Sequence, residues 1–241
     1  MRRRFFVDQV RNGHAEINGD DARHLTRVLR VEEGQRFEIS DNHNVYLAEV
    51  EAARKERVLF RTVEKLAVPA PPVHIRLYAA LIKFDHFEWM VEKATELGVA
   101  EIVPFEAIRT ERGLERAARK RVERWRRIAL EASQQSRRDR LPEVRDTVKF
   151  EEAIDDPAAL RVVLDEEPGG IPLISALPKE RADAAALLIG PEGGWADGER
   201  EAFVAAGWTR VSLGPLILRA ETAALAGLAV LAQWAQAGGN R

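Results

Sequence analysis

The chain has 241 residues, is 46% hydrophobic and 32% charged, and contains no cysteine. That is enough apolar material for one or two packed domains, and it excludes a disulfide framework or a cysteine-built zinc site. The formal net charge of −2 hides an asymmetry, because residues 109–140 hold 12 Lys/Arg against 5 Asp/Glu while residues 141–241 hold 9 against 16. Cationic charge gathered in one middle segment is the footprint of a polyanion-binding face.

The opening Met1-Arg2-Arg3-Arg4-Phe5-Phe6-Val7 has positive charge but no continuing apolar run, so a signal peptide is not expected. No stretch is long and apolar enough to span a membrane, and the expected location is the cytoplasm. Residues 1–67 read as a small β-rich module. Short runs at 5–7, 36–39, 45–50 and 58–63 are bounded by Gly, Asn and Asp. Between them, Asp21–Arg30 has an acidic start and apolar Leu25, Val28 and Leu29, which predicts a short helix with Arg23, Arg27 and Arg30 facing outward. These arginines, with Arg3 and Arg4, are candidate phosphate contacts.

Pro69, Pro71 and Pro72 mark an extended linker, since proline can continue neither a helix nor a central strand. A second domain over 73–241 opens on the apolar run 73–82. Phe87, Met90, Val91, Ala94 and Leu97 follow at helical spacing and stop at Gly98, and Ile102–Phe105 is the next strand. That βαβ pattern predicts a parallel sheet. Residues 113–138 read as one long amphipathic helix, with Leu114, Val122, Trp125 and Ile128 on its apolar stripe. Arg137 and Arg138 at its end join the candidate phosphate contacts. A further strand is expected at 161–165.

Two later segments share one design. Leu187-Leu188-Ile189 breaks into Gly190-Pro191-Glu192-Gly193-Gly194-Trp195, and Val211-Ser212-Leu213 breaks into Gly214-Pro215-Leu216-Ile217-Leu218-Arg219. Each reads as a buried strand ending in a glycine turn, with a helix after it. Ligands of open parallel sheets bind outside the carboxyl ends of the strands, so the two turns are expected to wall a pocket. Candidate lining residues are Leu188, Ile189, Gly190, Pro191, Glu192, Gly193, Leu213, Gly214, Leu216, Leu218, Thr222 and Ala223. Neither turn has the lysine and spacing of a phosphate loop. The leucines of the second turn suit a flat apolar group edged with hydrogen-bonding atoms, such as adenine. No cluster with metal-ligand spacing is seen, so no metal is expected. The final helix, from Glu221 to Ala237, is apolar nearly all round and must be buried in the fold or against a second subunit.

"LLIGPEGGW" followed by "LGPLILRAETAALAGL" resembles the cofactor-binding signature of SPOUT-class RNA methyltransferases, and more narrowly the ribosomal RNA small subunit methyltransferase E family. "HLTRVLRVEEGQRFEIS" is similar to that family's PUA-like barrel. "ALIKFDHFEWMVEKATELGVAEIVPFEAIRTER" and "ALEASQQSRRDRLPEV" extend the likeness, with Lys83 as an RNA candidate. The resemblance implies a PUA-like N-terminal β-barrel and a C-terminal α/β trefoil-knot domain. It also implies S-adenosylmethionine as cofactor, a homodimer, and methylation of uridine N3 in small-subunit ribosomal RNA, free or in the assembled subunit. For that chemistry Arg219 is the candidate that stabilises charge on the base oxygens, and Glu221 a base or a support for Arg219. A methyltransferase of another RNA nucleotide and a non-catalytic assembly factor are the rival readings.

Overall fold

The structure, a computed structural model, describes residues 4–237. It forms two compact units: residues up to Ala70 together with Ser133–Leu141, and Pro71–Ala132 together with Pro142 onward.

In the first unit, β1 (Arg4–Phe6), β2 (His14–Asn18), β3 (Arg36–Ser40), β4 (Val45–Arg54) and β5 (Arg57–Leu66) make a five-stranded sheet in the order β1-β3-β4-β5-β2. Pairing is antiparallel except between β1 and β3. Alternation along β2 buries Ala15 and Ile17 and exposes His14, Glu16 and Asn18, as a sheet with one covered face requires. Helix α1 (Gly19–Arg27) packs Ala22 and Leu25 into a core with Phe5, Ile39, Val50, Val58 and Phe60. It ends three residues before the expected stop, and Arg30 lies beyond it with φ +52°.

The second unit contains β6 (His74–Ala80), α2 (Phe84–Glu96), β7 (Glu101–Glu106), α3 (Leu114–Ala118), α4 (Val122–Ser136), β8 (Glu143–Val144) and β9 (Val148–Lys149). It continues through α5 (Phe150–Ile154), β10 (Leu160–Leu164), β11 (Ile171–Pro172), α6 (Leu173–Ala176), β12 (Ala184–Ile189), α7 (Asp197–Ala205), β13 (Thr209–Ser212) and α8 (Ala220–Ala237). The sheet order is β11-β13-β10-β12-β6-β7, with β8 and then β9 along the free edge of β7, and every pair is parallel. A parallel sheet is covered on both faces, which is why β12 is apolar throughout and β6 is apolar from Leu77 onward rather than alternating. Ile75, Leu77, Leu187 and Ile189 face Phe87, Met90, Trp125 and the α8 residues Leu228 and Leu231. Tyr78, Ala186 and Leu188 face Phe150, Trp195, Phe203 and Trp208. Burying each such Leu, Ile or Phe contributes about 1.5–3 kcal/mol. Gly227 lets α8 approach the sheet closely, since a Cβ there would lie 2.9 Å from Leu187 Cδ2.

Two expectations are corrected here. The helix expected over 113–138 is two helices, α3 and α4. The Lys120 and Arg121 amides bond three residues back to Ala117 and Ala118 in a tight turn, and beyond it Trp125 meets Phe87 with the rings tilted by 40° and their centroids 4.5 Å apart. The sequence also gave no reason to separate 133–141 from the second domain. Arg4 pairs with Asp139, the Ser40 hydroxyl donates to the Asp139 carbonyl at 2.6 Å, and the Leu141 amide donates to Asn42 Oδ1 at 3.0 Å.

Candidate active site

Strand β10 lies between β12 and β13, so the glycine turns leaving β12 and β13 face each other across its carboxyl end. They wall a cavity of about 790 Å³. Ile189, Gly190, Pro191, Glu192 and Gly193 form one wall. Leu213, Gly214, Leu216, Leu218 and Ala223 form the other, with Arg219 and Glu221 also in the lining. Two candidates are corrected. Leu188 is fully buried on the opposite face of the sheet, as the two-residue period of a strand dictates. Thr222 is exposed at the third position of α8 and is neither a lining residue nor a cap.

The first turn is clamped from below. Trp195 is fully buried, donates its indole N–H to the Leu164 carbonyl at 2.9 Å, stacks on Phe105 and meets Phe203 edge-on. A Cβ on Gly190 would come within 2.8 Å of that indole, and Gly194 has φ +69° beside the Glu166 carboxylate. Both positions therefore require glycine. The β10 exit loop is tied to the same turn: Arg200 pairs with buried Asp165 and with Glu166, and donates to the Trp195 carbonyl at 2.8 Å. Arg210 reaches Asp165 from β13 at 2.7 Å. This exit loop, Leu164–Glu166, also lines the cavity. Sequence reading found strand β10 but not its place between the two turns.

Arg219 is exposed and its side chain makes no ion pair or hydrogen bond among the described residues. Glu221 is not its support. The Glu221 carboxylate lies 2.8 Å from His86 Nδ1 instead. His86 is not among the sequence candidates, although it sits in the first turn of the helix that follows a central strand, where ligand-facing residues gather. Lys83, expected at RNA, lines the same cavity, and its amide lies 3.4 Å from Glu192 Oε1.

The other RNA candidates fare differently. Arg3 lies outside the described residues. Arg4 is corrected: its side chain, 12% exposed, is held by Glu38 and Asp139. Arg23 pairs with Asp20, while Arg27 and Arg30 are exposed. Arg137 offers its carbonyl to Arg4. Arg138 donates to the Arg140 carbonyl, and burial pulls its guanidinium down to about 10, against the pull of Asp139. In the cationic segment, Arg121 and Arg124 share Glu88, Arg126 takes Glu123 and Asp146, and Arg127 takes Glu131. Part of that charge is thus neutralised internally. Arg116, Arg119 and Lys120, at α3 and the turn after it, are exposed without a partner among the described residues. Among the described residues no group of three or more His, Cys, Asp or Glu could hold a metal ion, and no helix is long and apolar enough to cross a membrane.

A parallel α/β unit with a cavity between two glycine turns, in a chain that begins with a small β unit, defines an RNA methyltransferase of the SPOUT type. Residues 69–232 match the family model described as the RNA methyltransferase domain, and residues 17–63 match that of the RNA methyltransferase PUA domain. The chain belongs to the ribosomal RNA small subunit methyltransferase E family. It is 30% identical to the Bacillus subtilis protein of that name, over 95% of each chain. It also resembles the crystal structure of the Neisseria gonorrhoeae family member bound to S-adenosyl methionine, with a TM-score of 0.86 and 26% identity, covering 97% of this chain and 98% of that one. A Legionella pneumophila methyltransferase in complex with the same cofactor gives 0.86 and 27%, covering 99% and 98%.

Proposed function

We propose that this chain transfers a methyl group from S-adenosylmethionine to N3 of a uridine in small-subunit ribosomal RNA, in the cytoplasm. The observation that carries the reading is the cavity between the two glycine turns, with Arg219 in its lining. Its residues fit the cofactor. Leu213, Leu216 and Leu218 suit the adenine, glycine backbone is open to the polar edges, and the volume falls in the usual range for small-molecule sites, about 300–1,000 Å³. When bound, S-adenosylmethionine supplies an electrophilic methyl on a sulfonium centre. What this chain adds is positioning and charge. Uridine N3 becomes a good nucleophile as its proton leaves, and the negative charge spreads onto the flanking base oxygens. The unpaired Arg219 guanidinium is suited to hydrogen-bond those oxygens. Arg27 and Arg30 of the first unit, and Arg116, Arg119 and Lys120 of the second, are among the exposed cations available to meet phosphates.

The test supplies labelled cofactor and this protein to small ribosomal subunits lacking native uridine methylation, then maps the product by primer extension. One cofactor-dependent stop is expected, because a methyl on N3 blocks the pairing edge. Label incorporated without a stop would move the reaction to another atom or nucleotide. Neither binding nor label would sink the reading.

The active form is a homodimer. Leu216 and Ile217, 79% and 84% exposed, and the half-buried apolar residues of α8 offer what a second copy covers. Sedimentation equilibrium is expected to give twice the 27.1 kDa chain mass, and a monomer at micromolar concentration would contradict it.

A further inference from the structure

Helix α2 opens at Phe84, just past the carboxyl end of central strand β6, and α8 opens at Ala220, just past the second glycine turn. The two helices pack together, so His86 and Glu221, each in a first turn, meet beside the cavity. His86 Nδ1 lies 2.8 Å from Glu221 Oε1, and both residues line the cavity. Glu221 is 6% exposed, and its second oxygen, Oε2, is buried without a hydrogen-bond partner. A buried carboxylate with an idle oxygen is costly, and the first-turn position on α8 offsets only part of that cost.

A carboxylate can only accept, so the proton in this bond belongs to Nδ1, and in the neutral ring the lone pair belongs to Nε2. The nearest carboxylate to Nε2 is Asp85, at 3.7 Å and mostly exposed, too far for a hydrogen bond. Nε2 is therefore an unoccupied acceptor on a ring whose orientation and tautomer are fixed. We propose that His86, held by Glu221, is the base that takes the N3 proton of the uridine. This inference rests on the reaction proposed above. The N3–H bond breaks as an Nε2–H bond forms. The electron pair left on N3 makes the new nitrogen–carbon bond, and the pair of the breaking carbon–sulfur bond stays with sulfur. Glu221 holds the resulting imidazolium, which returns its proton to solvent through the 32% of the side chain that is exposed. The other charged groups around the pair are Lys83 and Asp85 beside His86, Glu192 from the first turn, Arg219 from the second, and Asp165 and Glu166 from the β10 exit. Arg219 stabilises the charge that the proton leaves behind, so base and cation act on different atoms of one nucleobase.

The experiment measures single-turnover methyl transfer to small ribosomal subunits against pH, with cofactor affinity read separately by calorimetry. His86→Ala is expected to slow transfer by about 10²–10⁴-fold and to abolish the loss of rate on the acid side. Its cofactor Kd should stay within about threefold of wild type, and added imidazole should restore part of the rate. His86→Asn, which keeps a polar side chain should alanine perturb the fold, is expected to behave alike, and Glu221→Gln to slow transfer with cofactor affinity kept. An activity-independent readout uses the protein alone: ¹⁵N shifts of the His86 ring should place the proton on Nδ1, and Glu221→Leu, which removes both acceptor oxygens, should erase that preference. An unchanged rate and acid limb in His86→Ala, while wild type methylates N3, would overturn the base assignment alone. So would a rate loss explained wholly by weaker cofactor binding. A wild-type enzyme that binds cofactor and labels no uridine N3 would overturn the reaction and the base with it.

Discussion

Replacing Arg219 with alanine is expected to lower the single-turnover rate of methyl transfer by about 10²–10³-fold, the usual loss when one preorganised donor to a developing oxyanion is removed. The proposed role gives this substitution a distinctive profile. Arg219 is exposed and forms no ion pair or hydrogen bond among the described residues, so nothing in the fold depends on its charge. Melting temperature should therefore stay within about 1–2 °C, since substitutions away from such contacts usually cost less than 0.5 kcal/mol. Cofactor affinity should also hold, because the apolar lining and the glycine backbone carry it. Arg219→Lys should recover part of the rate, as a point charge without the two-pronged geometry of guanidinium. Equal losses in cofactor affinity and in rate would mean that Arg219 belongs to the cofactor site rather than to the base.

Trp195→Ala is expected to destabilise the second unit by about 3–5 kcal/mol, the range for a buried aromatic cut to alanine. Its melting transition should fall by on the order of 10 °C. Three aromatic rings, Phe105, Phe150 and Phe203, lie within 6.1 Å of the Trp195 ring and would face the void. The Leu164 carbonyl would lose its donor as well. Because the indole supports Gly190 from beneath, cofactor affinity should fall with stability, unlike the Arg219 case. Trp195→Phe separates the contributions: it keeps most of the packing and removes the N–H, at a cost of about 1 kcal/mol. Calorimetric melting of both variants with and without cofactor measures this. A Trp195→Ala transition within 2 °C of wild type would show that the first turn holds its shape unaided.

Much of this architecture is written locally. The runs that became β6, β7, β10 and β12 are mainly apolar because both faces of the sheet are covered, and the glycine turns follow directly on two strands. Local sequence does not encode the strand order, so the Leu164–Glu166 exit loop was missed as part of the cavity. The two-residue edge strands β8, β9 and β11 are too short to carry a periodicity. His86 escaped for a related reason. Its partner Glu221 is remote in the chain, and a lone histidine beside an aspartate in a helix is ordinary. The arginine-rich segment is less bare than composition suggests, because Glu88, Asp146 and other carboxylates pair with Arg121, Arg124, Arg126 and Arg127. Composition counts charges but not their partners.

The pairing of β6 with β12 sets a timetable for synthesis. All of residues 81–183 lie between these neighbouring strands, and β10 and β13, which complete the cavity floor and far wall, are also made late. A ribosome adding about 5–20 residues per second leaves β6 without its central neighbour for several seconds, with only β7 to pair with. The N-terminal unit waits too, for Ser133–Leu141. Long-range parallel pairing of this kind is intrinsically slow. The nascent enzyme therefore completes the cavity only when α8 has cleared the exit tunnel, and a chain truncated before β12 should have no affinity for cofactor whatever remains of its fold.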